Sequence, residues 1–192
     1  MRVSGGVLGG RRIETPKGVR VRPTQDRVRQ ALFSSLAARV PAGRFLDLFA
    51  GSGAVGIEAW SRGAAHVTWV ERDPRTAGIL RRNVDALCRP AAGATGGTTV
   101  VVADALRWLA RAVDGRAFDF VFVDPPYDRE RREAWSLRLA AAIEAGGWLA
   151  TAGLFILEQA ADVAEATPPG WTLAAERRYG EARLWVFKCA SC

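Results

Sequence analysis

The most constraining feature of the sequence is the stretch from Phe45 to Gly56, where an apolar run passes into a glycine-rich loop and then a helical pattern. Within it, Gly51, Gly53 and Gly56 form a G-x-G-x-x-G motif. Gly51 would permit a tight turn, Gly53 a close approach of the backbone to a ligand, and Gly56 close packing of helix on sheet. The motif predicts a nucleotide-containing ligand, but several nucleotide cofactors share it.

After residue 44 the pattern repeats as strand, loop and helix. The predicted strands are Phe45–Ala50, His66–Glu71, Thr99–Val102, Phe118–Val123, Leu149–Gln159, Trp171–Arg178 and Arg183–Lys188. The predicted helices are Val55–Arg62, Thr76–Leu87, Ala105–Ala112 and Ala134–Ala145. This alternation predicts an α/β fold with a mostly parallel sheet covered by helices on both faces. The last two strands are predicted to form an antiparallel hairpin at one edge.

Positive charge is concentrated in residues 1–30, which we call the N-terminal arm. The net charge of the chain is +7, and the arm has eight basic and two acidic side chains. The basic residues are Arg2, Arg11, Arg12, Lys17, Arg20, Arg22, Arg27 and Arg29. Such clustering is typical of a surface that binds nucleic-acid phosphates, although a solvated leader would also be charged.

The arm also shows local structural patterns. Alternation in residues 19–22 predicts a strand or hairpin with one arginine-bearing face. A helix is expected next, with Thr24 as its N-cap and Asp26 in its first turn. We therefore expect a basic hairpin extension over residues 1–23, followed by one α/β domain over residues 24–192.

Three acidic residues lie within or just after predicted strands near the glycine loop. Glu71 lies twenty residues after Gly51, where a carboxylate can accept hydrogen bonds from both ribose hydroxyls of an adenosine, or else pair with a neighbouring arginine. Asp47 would repel a pyrophosphate but suits a cationic ligand such as S-adenosylmethionine, or it caps loop amides. Asp104 could meet an adenine edge or cap the next helix.

The second motif is Asp124-Pro125-Pro126-Tyr127, at the carboxyl end of the fourth predicted strand. Ligands of open α/β sheets bind over those strand ends, so this motif should face the same crevice as the glycine loop. The Asp124 side chain and the Pro125 carbonyl could accept the two N–H groups of an exocyclic base amine. The prolines stiffen the loop, and Tyr127 offers a face on which a flipped base can stack. Without the neighbouring glycine loop and Glu71, the same residues would be interpreted as a Pro-Pro turn that leaves a strand and is capped by Asp124.

Taken together, these motifs resemble the class I methyltransferases, which have a seven-stranded, Rossmann-like sheet. The N-terminal residues narrow the resemblance to the RsmD family of bacterial 16S ribosomal RNA guanine-N2 methyltransferases. They are Gly5-Gly6, Gly10-Arg11-Arg12, Thr15-Pro16-Lys17-Gly18 and the run from Arg22 to Phe33, together with Arg178-Tyr179-Gly180 near the end. The resemblance spans nearly the whole chain.

The resemblance implies methylation of the N2 amine of one guanine in 16S ribosomal RNA, within a partly assembled small subunit. It implies S-adenosylmethionine as the cofactor, bound by Asp47, Ala50, Gly51, Ser52, Gly53, Glu71, Arg72, Asp104 and Ala105. It makes Asp124, Pro125, Pro126 and Tyr127 the catalytic residues, and Arg11, Arg12, Arg22 and Arg27 the RNA contacts. A cytoplasmic monomer is expected, whose cofactor binding would survive deletion of the arm.

Three alternatives stay open from the residues alone. The Asp-Pro-Pro-Tyr motif also serves adenine-N6 methyltransferases acting on DNA or RNA. The glycine loop also occurs in NAD-dependent oxidoreductases, although Asp47 and the lack of a proton-relay pair disfavour that class. A non-catalytic RNA-binding protein could retain the fold as a scaffold.

Cysteine content and hydropathy predict neither a metal site nor a membrane anchor. Cys88, Cys189 and Cys192 are too few for a disulfide scaffold, and with His66 they make a poor zinc site. We expect ordinary thiols. No apolar run is long enough to span a bilayer.

Overall fold

The computed structural model describes residues 1–16, 23–89, 97–112, 115, 117–126, 134–163 and 166–190. The strands are β1 (Arg44–Leu48), β2 (His66–Glu71), β3 (Gly97–Val102), β4 (Phe118–Val123), β5 (Leu149–Ala160), β6 (Trp171–Tyr179) and β7 (Ala182–Cys189). The helices are α1 (Pro23–Ser35), α2 (Ala54–Ser61), α3 (Pro74–Leu87), α4 (Ala105–Leu109) and α5 (Trp135–Ala145). One 3₁₀ turn spans Gly6–Leu8.

The seven strands form one sheet in the order β3-β2-β1-β4-β5-β7-β6. Strands β3, β2, β1, β4 and β5 are parallel, and β7 pairs antiparallel with both β5 and β6. The strand order reverses between β1 and β4, which places the ligand crevice over the carboxyl ends of these two strands. The predicted fold class and the antiparallel hairpin are confirmed.

Each face of the sheet is covered by helices. Helices α1, α2 and α3 pack through Phe33, Ile57 and Leu80 on one face of the sheet. Helices α4 and α5 pack through Leu109 and Leu139 on the other. Strands buried on both faces have apolar residues at almost every position, which explains the apolar run of β4.

Several element ends differ from the sequence prediction. Helix α1 begins at Pro23, so Thr24 lies in its first turn instead of capping it, because proline is well suited to a first helical position. Helix α4 ends at Leu109, three residues before the predicted end. The alternating stretch 19–22 lies outside the described residues.

The expectation of ordinary thiols is wrong for Cys189, which is disulfide-bonded; spacing in a sequence does not report whether two sulfur atoms meet. Cys88 is a buried free thiol, and burial raises its pKa to about 12. The described residues contain no group of three or more His, Cys, Asp or Glu side chains that could hold a metal ion. None of the described helices is long and apolar enough to cross a membrane.

Candidate active site

The glycine loop leaves β1 through backbone conformations that few residues adopt. Phe49, Gly51 and Gly53 have φ values of 60°, 56° and 82°. The Gly53 amide donates to the Ala50 carbonyl at 2.8 Å and closes the turn. A Cβ on Gly51 would meet nothing within 4 Å. Gly51 therefore presents an open face to a ligand, and its positive φ explains why glycine occupies the position.

Gly53 has a packing role that the sequence did not predict. A Cβ at this position would overlap the Leu80 side chain and press on Trp69, so the lack of a side chain serves protein packing. The Gly53 carbonyl also accepts a hydrogen bond from the Trp69 indole at 3.2 Å. Gly56 behaves as predicted, because a Cβ there would overlap Trp69 on β2. The last two glycines thus let the loop and α2 lie close to the sheet.

Asp47 is a buried acid beneath this loop. It is 2% exposed, and its Oδ2 accepts the Gly56 amide at 2.9 Å. Burial raises the pKa of Asp47 well above its ordinary value, and the nearby Asp124 and Glu71 carboxylates add to the rise. A cationic ligand would relieve this penalty, and an anionic one would increase it. The Asp47 carboxylate caps a loop amide and also lines the cavity described below. It can therefore both cap the loop and face a cationic ligand, the two roles considered from the sequence.

Glu71, at the end of β2, binds the backbone of two loops. One of its carboxylate oxygens accepts the Gly51 amide at 2.9 Å, and the other accepts the Asp73 amide at 2.8 Å. In the described part of the chain it forms no ion pair with Arg72 or Arg75, both of which are exposed. Each oxygen keeps a lone pair, so Glu71 can accept two further hydrogen bonds from a diol.

Asp104 follows β3 and caps α4. Its Oδ1 accepts the Arg107 amide at 3.0 Å, which is the helix-capping role, while Ala105 beside it is buried. Like Asp47 and Glu71, it lies at the carboxyl end of its strand. The structure therefore brings the predicted cofactor residues to one edge of the sheet.

Asp124 and the two prolines continue β4 at the same edge. Asp124 as a residue is half-buried, yet the loss of water around its carboxyl raises its pKa to about 7. Pro125 is buried, and its carbonyl lies 3.4 Å from the Gln159 side-chain amide, which donates to it. Pro126 is exposed, and Tyr127 lies outside the described residues.

One cavity connects the two motifs. Its volume is about 290 Å³, and it opens between the glycine loop, α1 and the end of β4. It is lined by Met1, Thr15, Pro16, Val28, Arg29, Leu32, Asp47, Phe49, Ala50, Gly51, Ser52, Ala54, Val55, Thr76, Phe122, Asp124 and Glu158. The predicted crevice shared by the glycine loop and Asp124 is thus present.

Residues 1–16, which we call the N-terminal segment, form part of the cavity wall. Glu58 of α2 is fully buried and accepts the Ser4 amide and hydroxyl, each at 2.7 Å. Asn83 of α3 accepts the Glu14 amide at 2.9 Å and donates to the Ser52 carbonyl of the glycine loop at 2.9 Å. The segment is therefore tied to the helices that position the loop.

This packing changes two expectations about the arm. Its deletion would remove Met1, Thr15 and Pro16 from the cavity wall, so we now expect the deletion to weaken cofactor binding. Arg29 is not available to RNA, because it is 4% exposed and its Nε contacts Glu58 at 3.2 Å. The clustering of basic residues in the sequence does not show which arginines are exposed, so the burial of Arg29 could not be predicted from it.

The remaining predicted RNA contacts fall into two groups. Arg11, Arg12 and Arg27 are exposed and carry unopposed charge in the described structure. Arg22 lies outside the described residues. Arg2 is exposed as well, and its guanidinium donates to the Gly10 carbonyl at 2.8 Å.

Two acidic residues in this region were missed by the sequence prediction. Glu58 looked like an ordinary helical surface residue with Arg62 four positions later, and only the distant Ser4 and Arg29 reveal its burial. Glu158 lies in the apolar run of β5 and lines the cavity beside Asp124. Glu158 could have been identified from the sequence, because it is a charged residue in an otherwise apolar predicted strand.

Residues 1–188 match the model of the family described as Conserved hypothetical protein 95. The chain is 37% identical over 189 residues to Ribosomal RNA small subunit methyltransferase D of Escherichia coli (strain K12), covering 98% of this chain and 89% of that protein. It is 32% identical over 180 residues to the Haemophilus influenzae protein of the same name, covering 94% and 89%. The solved structure of yhhF from Escherichia coli matches with a TM-score of 0.83 and 32% identity, covering 100% of this chain and 99% of that one. The chain therefore belongs to the RsmD family.

Proposed function

We propose that this protein transfers a methyl group from S-adenosylmethionine to the N2 amine of a guanine in 16S ribosomal RNA. The observation that carries the proposal is the single cavity shared by the glycine loop and Asp124. One side of that cavity has the features of a cofactor site, and the other has acceptors suited to an amine. The relatives named above are called ribosomal RNA small subunit methyltransferases, which supports the choice of substrate.

The cofactor side suits the proposed ligand in charge and shape. Asp47 is a buried acid, and a cationic ammonium or sulfonium beside it would stabilise its ionised form, whereas an anion would destabilise that form. Gly51 leaves open space above the loop, and Glu71 retains acceptor capacity for ribose hydroxyls. The bound cofactor supplies an electrophilic methyl group. The pyrophosphate of NAD would lie near Asp47, which argues against an oxidoreductase.

The substrate side would hold the amine by its hydrogens. An exocyclic amine is a poor nucleophile because its lone pair is delocalised into the ring. Asp124 and the Pro125 carbonyl can each accept one N–H, which turns the nitrogen lone pair out of the ring plane. The Gln159 side-chain amide donates a hydrogen bond to the Pro125 carbonyl and so helps to hold its orientation. Because the Asp124 pKa is about 7, its carboxylate is available as an acceptor at neutral pH and above.

The RNA would bind on the exposed arginines of the arm. Arg11, Arg12 and Arg27 carry charge that no described acid neutralises, as phosphate contacts require. We infer that Tyr127 stacks on the flipped guanine and that the protein acts as a cytoplasmic monomer on a partly assembled subunit. The alternative is adenine-N6 methylation of DNA or RNA, since Asp124 and Pro125 could hold that amine equally well.

Labelled methyl transfer to small ribosomal subunits that lack base methylation tests the proposal. Mapping should place the label on a single guanine, and Asp124→Ala should abolish transfer while S-adenosylhomocysteine still binds. The matched control is Asp85→Ala, an exposed aspartate on α3 outside the cavity, which should retain full turnover. Label on adenine, or on duplex DNA but not ribosomal RNA, would contradict the proposal.

A further inference from the structure

Glu158 is a second carboxyl group at the substrate end of the cavity. Strands β4 and β5 are parallel, and Val123 is paired with Leu157. The next residues along each strand are Asp124 and Glu158, so their side chains lie side by side on the same face of the sheet. Both line the cavity, and Glu158 is 6% exposed.

The Glu158 carboxyl has no hydrogen-bond or ion-pair partner among the residues that the structure describes. Arg29 of α1 lines the same cavity, but its guanidinium contacts Glu58, Asp26 and the Arg2 carbonyl. The other ionisable side chains that line the cavity are Asp124 and, on β1, Asp47, and both are acids. Burial and the Asp124 charge raise the pKa of Glu158 well above its ordinary value.

An unpartnered buried carboxyl lowers the stability of a fold unless a ligand completes it. The preceding positions on the same face of β5, Leu154 and Ile156, are apolar, and so is Leu184, which pairs with Glu158 on β7. Protein packing therefore does not require an acid here. The carboxyl is instead directed into the cavity that Asp124 shares. A substrate with a hydrogen-bond donor next to its amine would provide the missing partner.

We propose that Glu158 is a specificity-determining residue that accepts the ring N1–H of guanine while Asp124 accepts its neighbouring N2 amine. The inference rests on the proposed function and names the residue that makes this site select guanine. In guanine the amine, the N1–H donor and the O6 acceptor follow one another along one edge. Two adjacent carboxyl groups match the first two of these positions.

Glu158 favours guanine in either protonation state. An ionised carboxylate accepts N1–H but repels the lone pair that adenine presents beside its amine. A neutral carboxyl group accepts N1–H and donates its own proton to O6, which makes two hydrogen bonds with guanine. With adenine it can make only one, to the ring nitrogen.

The test compares guanine with 2-aminopurine at the methylated position of otherwise identical small-subunit particles. 2-Aminopurine keeps the amine that accepts the methyl group but lacks both N1–H and O6. The wild-type protein should prefer guanine in kcat/KM by about 10-fold to 100-fold, the value of a hydrogen bond to a charged group. In Glu158→Leu and Glu158→Met, kcat/KM for guanine should fall by that factor while kcat/KM for 2-aminopurine stays unchanged. The ratio of the two values should therefore approach 1.

Two further variants control for the geometry and the charge. Glu158→Gln keeps an acceptor for N1–H and a donor for O6, so its kcat/KM for guanine should stay within about fivefold of wild type. Glu176→Gln changes an exposed glutamate on β6 and should alter neither substrate's kinetics. Affinity for S-adenosylhomocysteine, measured by calorimetry, should be equal in all variants.

The outcomes separate the inference from the function on which it rests. If the wild-type protein methylates no guanine, the proposed function fails. If it does so and the Leu or Met variant, with intact S-adenosylhomocysteine binding, keeps the wild-type preference, then Glu158 does not read the base. A loss of more than about 100-fold for guanine in Glu158→Gln, with cofactor binding intact, would also overturn the assignment, because its acceptor remains.

Discussion

Replacement of Glu58 by glutamine should both destabilise the fold and weaken cofactor binding. The carboxylate is fully buried and accepts Ser4 at 2.7 Å, Arg62 at 2.8 Å and Arg29 at 3.2 Å. Glutamine keeps one acceptor and places an N–H group against donors at the other position. The Arg29 guanidinium, with a side chain 3% exposed, then loses its buried counter-charge.

The size of the effect follows from that loss. Removing one partner of a buried ion pair costs about 3 to 5 kcal/mol of unfolding free energy. Because Asp26 still pairs with Arg29, we expect the lower end, about 3 kcal/mol. For a chain of this length, the corresponding fall in Tm is about 6 to 12 °C.

The pH dependence gives an independent check. Despite burial, hydrogen bonds from Ser4 and Arg62 and the charge of Arg29 lower the pKa of Glu58 from 4.5 in the folded state. A lowered carboxyl pKa contributes stability that is present above pH 4.5 and is lost as the pH falls through the folded-state value. The difference between wild type and Glu58→Gln should therefore be full at neutral pH and shrink in acid.

Urea denaturation measures the stability, and calorimetry with S-adenosylhomocysteine measures the site. Affinity should fall because the N-terminal segment, which Glu58 holds, supplies Met1, Thr15 and Pro16 to the cavity wall. The control is Glu176→Gln, whose ion pair with Arg183 is partly exposed and should contribute less than about 1 kcal/mol. If Glu58→Gln were no less stable than this control, the buried network would not fasten the segment.

Two further predictions concern the substrate side. The kcat/KM for methyl transfer should rise about tenfold per pH unit up to about pH 7 and then level off, because only the ionised Asp124 carboxylate accepts the amine fully. A rate that stays constant from about pH 6 to pH 8 would contradict this role. Replacing Arg11 and Arg12 by glutamine should weaken RNA binding and reduce the slope of log affinity against log salt by about 1 to 2, with unchanged cofactor affinity. Equal slopes would mean that these arginines do not contact phosphates.

The parts of the fold that could be predicted from the sequence are those governed by local periodicity. Strands β2 and β4 have the predicted ends, since an apolar run between turn residues determines a buried strand. Glu71 ends β2 and Asp124 directly follows β4, as predicted, and Asp47 lies one residue before the end of β1. These acids come together because parallel strands bring their carboxyl ends to one edge.

The parts that escaped prediction depend on contacts between distant residues. Glu58 is buried because Ser4, 54 residues away, packs over it, and the sequence around Glu58 carries no sign of this. Asn83 likewise accepts a hydrogen bond from the backbone amide of Glu14, which is 69 residues away in the sequence. The packing of Gly53 against Leu80 of α3 escaped prediction for the same reason.

The fastening of the N-terminal segment also affects the order in which the molecule can assemble. Residues 1–16 are synthesised before their partners Glu58 and Asn83, which follow much later in the chain. The segment must remain unattached during translation until α2 and α3 have emerged and packed. Closing such long loops is entropically costly, so docking of the segment should come late in folding. The cavity wall is then completed by residues that were made before the helices on which they dock.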